Sequence, residues 1–157
     1  MRYLGPCSLI LGFAGSVAAA DIDVVGHWAK TVTRADLVAG AGTDIMSPLE
    51  SPAAIATLNI SNTGGSSWVV RVTWNNIDWA PGASVAVRRS GNEAGINGGT
   101  SYQSLDGSPQ DFFCGTGDYS GIQIQFKVDG VTIQTAPQPY SLLVTYAVES
   151  PAPCSAT

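Results

Sequence analysis

The stretch AIATLNISNTGGSSWVVRVTWNN, residues 54–76, decides the fold class of this chain. Every second residue of 54–60 is apolar, and in residues 68–76 a tryptophan and valine face alternates with side chains that are polar except for Val69. A period of two is typical of a half-buried β-strand. Asn62, Gly64 and Gly65 tolerate the positive φ that a tight connection needs. The stretch therefore predicts two antiparallel strands joined as a hairpin.

Short apolar runs continue along the chain, separated by glycine and proline, and no window shows the apolar spacing of a helix. The predicted strands are 84–89, 102–105, 112–114, 122–128, 131–135 and 140–148. We expect the second and third of these to pair with each other. Leu143 interrupts the polar side of the last strand and predicts contact with a partner or the N-terminal arm. The pattern predicts an all-β antiparallel β-sandwich, with a small closed β-barrel as the alternative.

Residues 1–20 have the pattern of a secretory signal peptide: positive charge at Arg2, an apolar stretch, and Ala18-Ala19-Ala20 before a cleavage point. The apolar stretch is too short to span about 30 Å of hydrocarbon, which argues against a membrane anchor. We expect a mature chain starting at Asp21, with one domain over residues 21–150 and a short flexible tail over 151–157. The expected location is secreted, periplasmic or cell-surface, with no transmembrane segment in the mature protein.

The charge balance excludes some partners. Cleavage removes one of seven basic residues and none of twelve acidic residues, which leaves six against twelve and a formal charge of −6. A nucleic acid would be repelled by this net charge, so we expect no nucleic-acid partner.

The cysteines predict one disulfide. Cys7 leaves with the leader, so Cys114 and Cys154 remain in an oxidising compartment where disulfides persist. We expect them to form a bridge, and the alternative is two free thiols.

The sequence lacks the parts of a catalytic site, and we expect the protein not to be an enzyme; a secreted hydrolase is the weakest alternative. His27 is the one histidine, and no nucleophile-elbow pattern occurs. We predict no cofactor. Ca²⁺ is considered because Asp36, Asp44 and Asp118 lie near glycines, but their spacing matches no calcium-binding motif, and turn capping explains them.

Two tryptophans predict an alternative binding role. Trp68 and Trp74 fall on the predicted core face, whereas Trp28 and Trp79 lie near strand ends or in loops. Exposed aromatic rings stack on sugars, so Trp28 and Trp79 are the candidate glycan platform of a carbohydrate-binding module. Burial against the edge of the sandwich is the competing interpretation of both side chains.

The leader, the 68–76 strand and the closing run PYSLLVTYAV, residues 139–148, resemble secreted bacterial immunoglobulin-like β-sandwiches of the fimbrial and surface-fibre subunit type. The resemblance is one of architecture, and such sandwiches have many functions. It implies an immunoglobulin-like sandwich with a noncatalytic structural or adhesive role at the cell surface. The partners that it implies are other copies of the chain or other surface proteins.

In fibre-forming relatives, a segment just after the leader completes the sheet of a neighbouring subunit. The segment of this chain in that position is DIDVV, and we predict it as a strand-exchange segment. Its residues are Asp21, Ile22, Asp23, Val24 and Val25. The alternative is that this segment pairs within its own domain.

Overall fold

The computed structural model describes residues 19–154, with the side chains of residues 76 and 77 excepted. Nine strands form two antiparallel sheets in these residues. The first sheet has the order β1-β3-β8-β5-β6, and β2 pairs with the far end of β8. The second sheet has the order β7-β4-β9. The strand bounds are β1 Asp21–Gly26, β2 Leu49–Glu50, β3 Ala56–Ser61, β4 Ser67–Asp78, β5 Ser84–Arg89, β6 Gln103–Ser104, β7 Gln110–Thr116, β8 Tyr119–Asp129 and β9 Ser141–Glu149.

The two sheets face each other across one hydrophobic core. Strands β3, β4 and β8 contribute mainly alternate residues to it, as period-two patterning requires. Strand β7 buries the consecutive residues Phe112 and Phe113, where its register with β4 shifts between Val70 and Arg71. The fully buried side chains with the largest volumes are Trp68, Phe112, Phe113, Leu58, Ile60, Ile122 and Ile124. Trp68 contacts Phe113 edge to face, with ring centroids 6.0 Å apart, and its indole N–H donates to the carbonyl of Gly117 at 2.7 Å. The prediction of an all-β antiparallel sandwich is confirmed, and the described strands form two open sheets instead of the alternative closed barrel.

The predicted hairpin over residues 54–76 is wrong. Both strands exist, but β3 belongs to the first sheet and β4 to the second, so the turn between them crosses the core. Asn62 at φ 58°, Gly64 and Gly65 provide the left-handed backbone of this connection. Alternation shows that a strand has one buried face, and it carries no information on which sheet the strand joins.

Two other strand predictions also fail. The pieces 102–105 and 112–114 do not pair with each other, because β6 pairs with β5 and β7 pairs with β4. Residues 131–135 form no strand: they lie in the turns between β8 and β9, where the Thr132 backbone amide donates to the Thr135 hydroxyl at 3.1 Å. Hydroxyl side chains bonding to nearby backbone groups stabilise turns in competition with strand pairing.

The disulfide between Cys114 and Cys154 is present, which confirms that prediction. Their Cα atoms lie 5.2 Å apart. The chain leaves β9, passes the start of β4, where the Ala152 amide donates to the Ser67 carbonyl at 3.0 Å, and reaches Cys114 on β7. All three strands of the second sheet are thereby connected at one end. The predicted leader and residues 155–157 lie outside the described residues, except for Ala19 and Ala20.

Candidate functional site: the lateral edge of the sandwich

Strands β1 and β9 together form what we call the lateral edge. Each is the outermost strand of its sheet, and the two strands contact each other on the same side of the sandwich. An outermost strand has backbone N–H and C=O groups on its free side, so it can pair with another strand. The lateral edge is therefore the part of the described surface best suited to bind another chain by its backbone.

The predicted strand-exchange segment, residues 21–25, forms most of β1 and pairs with β3 of its own domain. The register runs from Asp21 opposite Ser61 to Gly26 opposite Ala56 without a bulge. The Asp23 carboxylate accepts a hydrogen bond from Asn59 on β3. In the structure this segment therefore pairs within its own domain, which is the alternative interpretation. Strand exchange with a neighbouring subunit stays a prediction.

The inner side of the sandwich is open to solvent at β1. Val24 lies opposite Leu58, and directly opposed residues of an antiparallel pair point to the same face, so Val24 points inward. Leu58 is fully buried, yet Val24 is 44% exposed. Val25 points to the outer face and is 54% exposed. Nothing in residues 19–154 covers either valine completely.

Strand β9 is the longer half of the lateral edge. Tyr146 on its inner face is buried, and burial raises the pKa of its hydroxyl, which has no hydrogen-bond partner among the described groups. Leu142 and Val144, on the same inner face, are only half-buried. Leu143, on the outer face, is 53% exposed. The contact predicted for Leu143 is therefore not supplied by the described part of the chain.

The remaining sheet edges are short or partly covered. Strands β2 and β6 have two residues each. The outer side of β7 is bridged by Asn97, which exchanges two backbone hydrogen bonds with Cys114, at 2.8 and 2.9 Å. Short edge strands and covering loops are usual protections against unwanted pairing. Strands β1 and β9 lack both protections.

Trp28 and Trp79, the predicted glycan platform, each have contacts within the domain. The Trp79 indole N–H donates to the Ala83 carbonyl at 3.0 Å, and its ring meets Trp74 edge to face at 6.5 Å. Trp28 is half-buried against the core. Both rings thus have packing or hydrogen-bonding roles, and a glycan platform stays a prediction.

The carboxylates considered for Ca²⁺ accept hydrogen bonds from nearby groups. Asp36 binds Lys30 and Thr33, Asp44 accepts the Ile133 backbone amide, and Asp118 accepts the amide and hydroxyl of Thr63. No cluster of three or more His, Cys, Asp or Glu side chains able to hold a metal occurs within residues 19–154.

A charged aromatic cluster lies on the outer face of the first sheet. The Arg88 guanidinium carbon and the Lys127 amine lie 4.6 and 4.9 Å from the ring centroid of Tyr102. Arg88 also donates two hydrogen bonds to the Gln125 side-chain oxygen. Burial first, and then Glu50, raises the pKa of the Tyr102 hydroxyl. These contacts fix the side chains of β5 and β8 against the loop before β6.

No protein-family model, curated protein or solved structure matches this chain. Within residues 19–154, no helix has the length and apolar character required to cross a membrane. The class defined by the described residues is an all-β antiparallel sandwich with an internal disulfide and a long unprotected lateral edge.

The sequence predicts a role in assembly for one of the two strands of the lateral edge, β1. The position of residues 21–25 after the leader predicts their role in assembly, whereas the alternation of residues 140–148 predicts a strand with a core face and does not show that it lies at a sheet edge. The single sequence signal for the β9 edge was Leu143, an apolar residue on the polar side of an alternating run.

Proposed function

We propose that this protein is a noncatalytic, exported structural or adhesive protein of the cell surface that assembles with other copies of itself through its sheet edges. The single observation that carries the proposal is the lateral edge. It offers six residues of β1 and nine of β9 for pairing, with Val24, Val25 and Leu143 exposed along it. Strand addition to such an edge is an established mode of protein association.

The predicted leader supports the exported location, and the disulfide supports an oxidising compartment, because disulfides form and persist there. The immunoglobulin-like, fibre-subunit resemblance remains part of the proposal. Strand exchange by residues 21–25 is one route to assembly, and pairing at an intact edge is another.

The experiment is to express the full chain in a bacterium, recover the exported protein, and determine its N-terminus by mass spectrometry. We expect the mature chain to begin at Asp21. Light scattering after size exclusion, over a hundredfold range of concentration, should show oligomers, and electron microscopy of the largest fraction should show their form.

A matched pair of variants tests the edge. Val25→Lys with Leu143→Lys adds a charge to each of the two strands of the lateral edge, and Lys on an edge strand opposes strand addition. Val38→Lys with Ile133→Lys adds the same charges at two exposed apolar residues that lie outside β1 and β9. We expect the first variant to weaken assembly and the second to leave it unchanged. A mature wild-type protein that is monomeric at every concentration would contradict the proposal.

A further inference from the structure

We propose that β9 pairs antiparallel with β9 of a second copy, with a two-fold axis that passes between the two copies of Thr145. This inference rests on the proposed function and specifies the partner strand and its register. The evidence comes from the free side of β9, the symmetry of its sequence and the charges along the competing edge.

The free side of β9 has unpaired backbone groups. On one side β9 pairs with β4, from Ser141 opposite Asp78 to Glu149 opposite Val69. On the other side no described residue pairs with it by backbone hydrogen bonds. The strand contains no proline and no lysine, and its one charge is Glu149 at the end. A long edge strand without such protection is prone to association.

Symmetry limits the possible registers. Directly opposed residues of an antiparallel pair point to the same face of the sheet. In a pairing of two copies about a two-fold axis, the apolar faces lie on the same side of the sheet only if each copy places the same residue at the axis. Thr145 is the middle of the nine residues of β9. The register centred on it pairs the whole strand, and any other centre leaves residues at one end unpaired.

This register matches side chains of the same character. On the inner face, Leu142 lies opposite Val148 of the second copy, and Val144 lies opposite Tyr146. On the outer face, Leu143, which is 53% exposed in the single chain, lies opposite Ala147. Apolar cross-strand pairs of this kind contribute to sheet stability. The two three-stranded sheets become one sheet of six strands.

The charges also favour β9 over β1. In the proposed register Glu149 lies opposite Ser141, so no like charges meet. A two-fold pairing of β1 centred on Asp23 places two carboxylates side by side, and like charges directly opposite are destabilising. Centring on Val24 instead places the Asp23 carboxylate beside Val25. The β1 edge therefore lacks a favourable self-pairing register.

Cysteine cross-linking tests the register. Thr145→Cys places two thiols on opposed residues, whose Cα atoms lie about 4.5–5.5 Å apart in an antiparallel pair, within disulfide range. Ser141→Cys is the matched control, exposed on the same face of β9, and its two copies lie about 27 Å apart along the strand. We expect the first variant to form a dimer on a non-reducing gel, reversed by reductant, and the second to remain monomeric there.

A charge exchange provides a second readout that needs no cross-link. The pair Leu143→Lys with Ala147→Lys places lysines opposite each other twice in the proposed register. The pair Leu143→Lys with Ala147→Glu places opposite charges there. By sedimentation, the first double variant should dimerise at least tenfold more weakly than the second. Circular dichroism of both variants checks that each monomer is folded.

The outcomes separate this inference from the proposed function. Wild-type oligomers together with no Thr145→Cys cross-link, or with equal dimerisation of the two double variants, would overturn β9 pairing and leave assembly through β1. Equal cross-linking of both cysteine variants would indicate random collision and would also overturn it. Monomeric wild-type protein without any cross-link would overturn both.

Discussion

At the scale of single residues, the core is constrained by the close approach of Trp68 to Gly115. These residues face each other on paired strands, Trp68 on β4 and Gly115 on β7. A Cβ added at Gly115 would lie 2.7 Å from an indole carbon of Trp68, a distance that van der Waals packing does not allow. Trp68 is fully buried and its N–H is bound to Gly117, so the ring has little room to move.

We therefore expect Gly115→Ala to lower the free energy of unfolding by about 1–3 kcal/mol, the usual cost of overpacking a filled core. Gly107→Ala is the matched control, because nothing lies within 4 Å of a Cβ built there. Urea unfolding followed by tryptophan fluorescence measures both variants. Equal stability of the two variants would show that Trp68 can shift at no cost.

A second residue-scale constraint connects two turns at one end of the sandwich. The Asp118 carboxylate accepts hydrogen bonds from the Thr63 hydroxyl at 2.6 Å and the Thr63 amide at 3.0 Å. The Thr63 hydroxyl first, and then its amide, hold the pKa of Asp118 below the usual range. A carboxyl with a lowered pKa in the folded state stabilises the fold above its unfolded pKa, near 4, and loses this effect as the pH falls.

Asp118→Asn keeps an acceptor oxygen but removes the charge. We expect the wild type to be more stable than this variant at pH 7, and the difference to shrink as the pH falls below about 4. Urea unfolding at pH 7, 5 and 3 measures the difference. A difference that stays constant over this range would show that the charge of Asp118 does not stabilise the turn.

At the scale of elements, alternation predicted which segments are strands but not how they are joined. Residues 56–60 and 68–72 are buried on the face that the pattern indicates, since one face of each strand meets the core. Their assignment to different sheets depends on tertiary packing, which a local period cannot encode. Strands β2 and β6, with two residues each, are too short to show any period.

The disulfide is the element-scale feature with the clearest expected effect on stability. It closes a separation of 40 residues, for which the chain-entropy model gives about 4 kcal/mol. We expect Cys114→Ala with Cys154→Ala to lower the free energy of unfolding by up to this amount, as measured by urea unfolding. Alanine suits Cys114 because that site is fully buried.

Wild-type protein unfolded in the presence of a reductant is the control for this double variant. It should show a similar loss, since both lack the same cross-link. Unchanged stability in both samples would mean that the cross-link between Cys114 and Cys154 does not stabilise the fold.

At the scale of the whole molecule, the candidate site could be predicted only in part. The leader pattern predicts a role in assembly for residues 21–25, and these residues form an edge strand. The edge character of β9 depends on the order of strands in the second sheet, which brings β4 to its centre. That order results from contacts between residues far apart in the sequence, so no local pattern could show it.

The strand order also has a kinetic consequence. Of the consecutive strands in residues 19–154, β5 and β6 alone pair with each other, and β3, β4 and β5 all pair with strands that follow much later, β8 or β9. Non-local pairing of this kind slows folding toward the range of milliseconds to seconds, because long loops must close first. During synthesis the valine-rich β4 therefore stays unpaired until β7 and β9 have been made. In this interval the chain is most prone to misassociation.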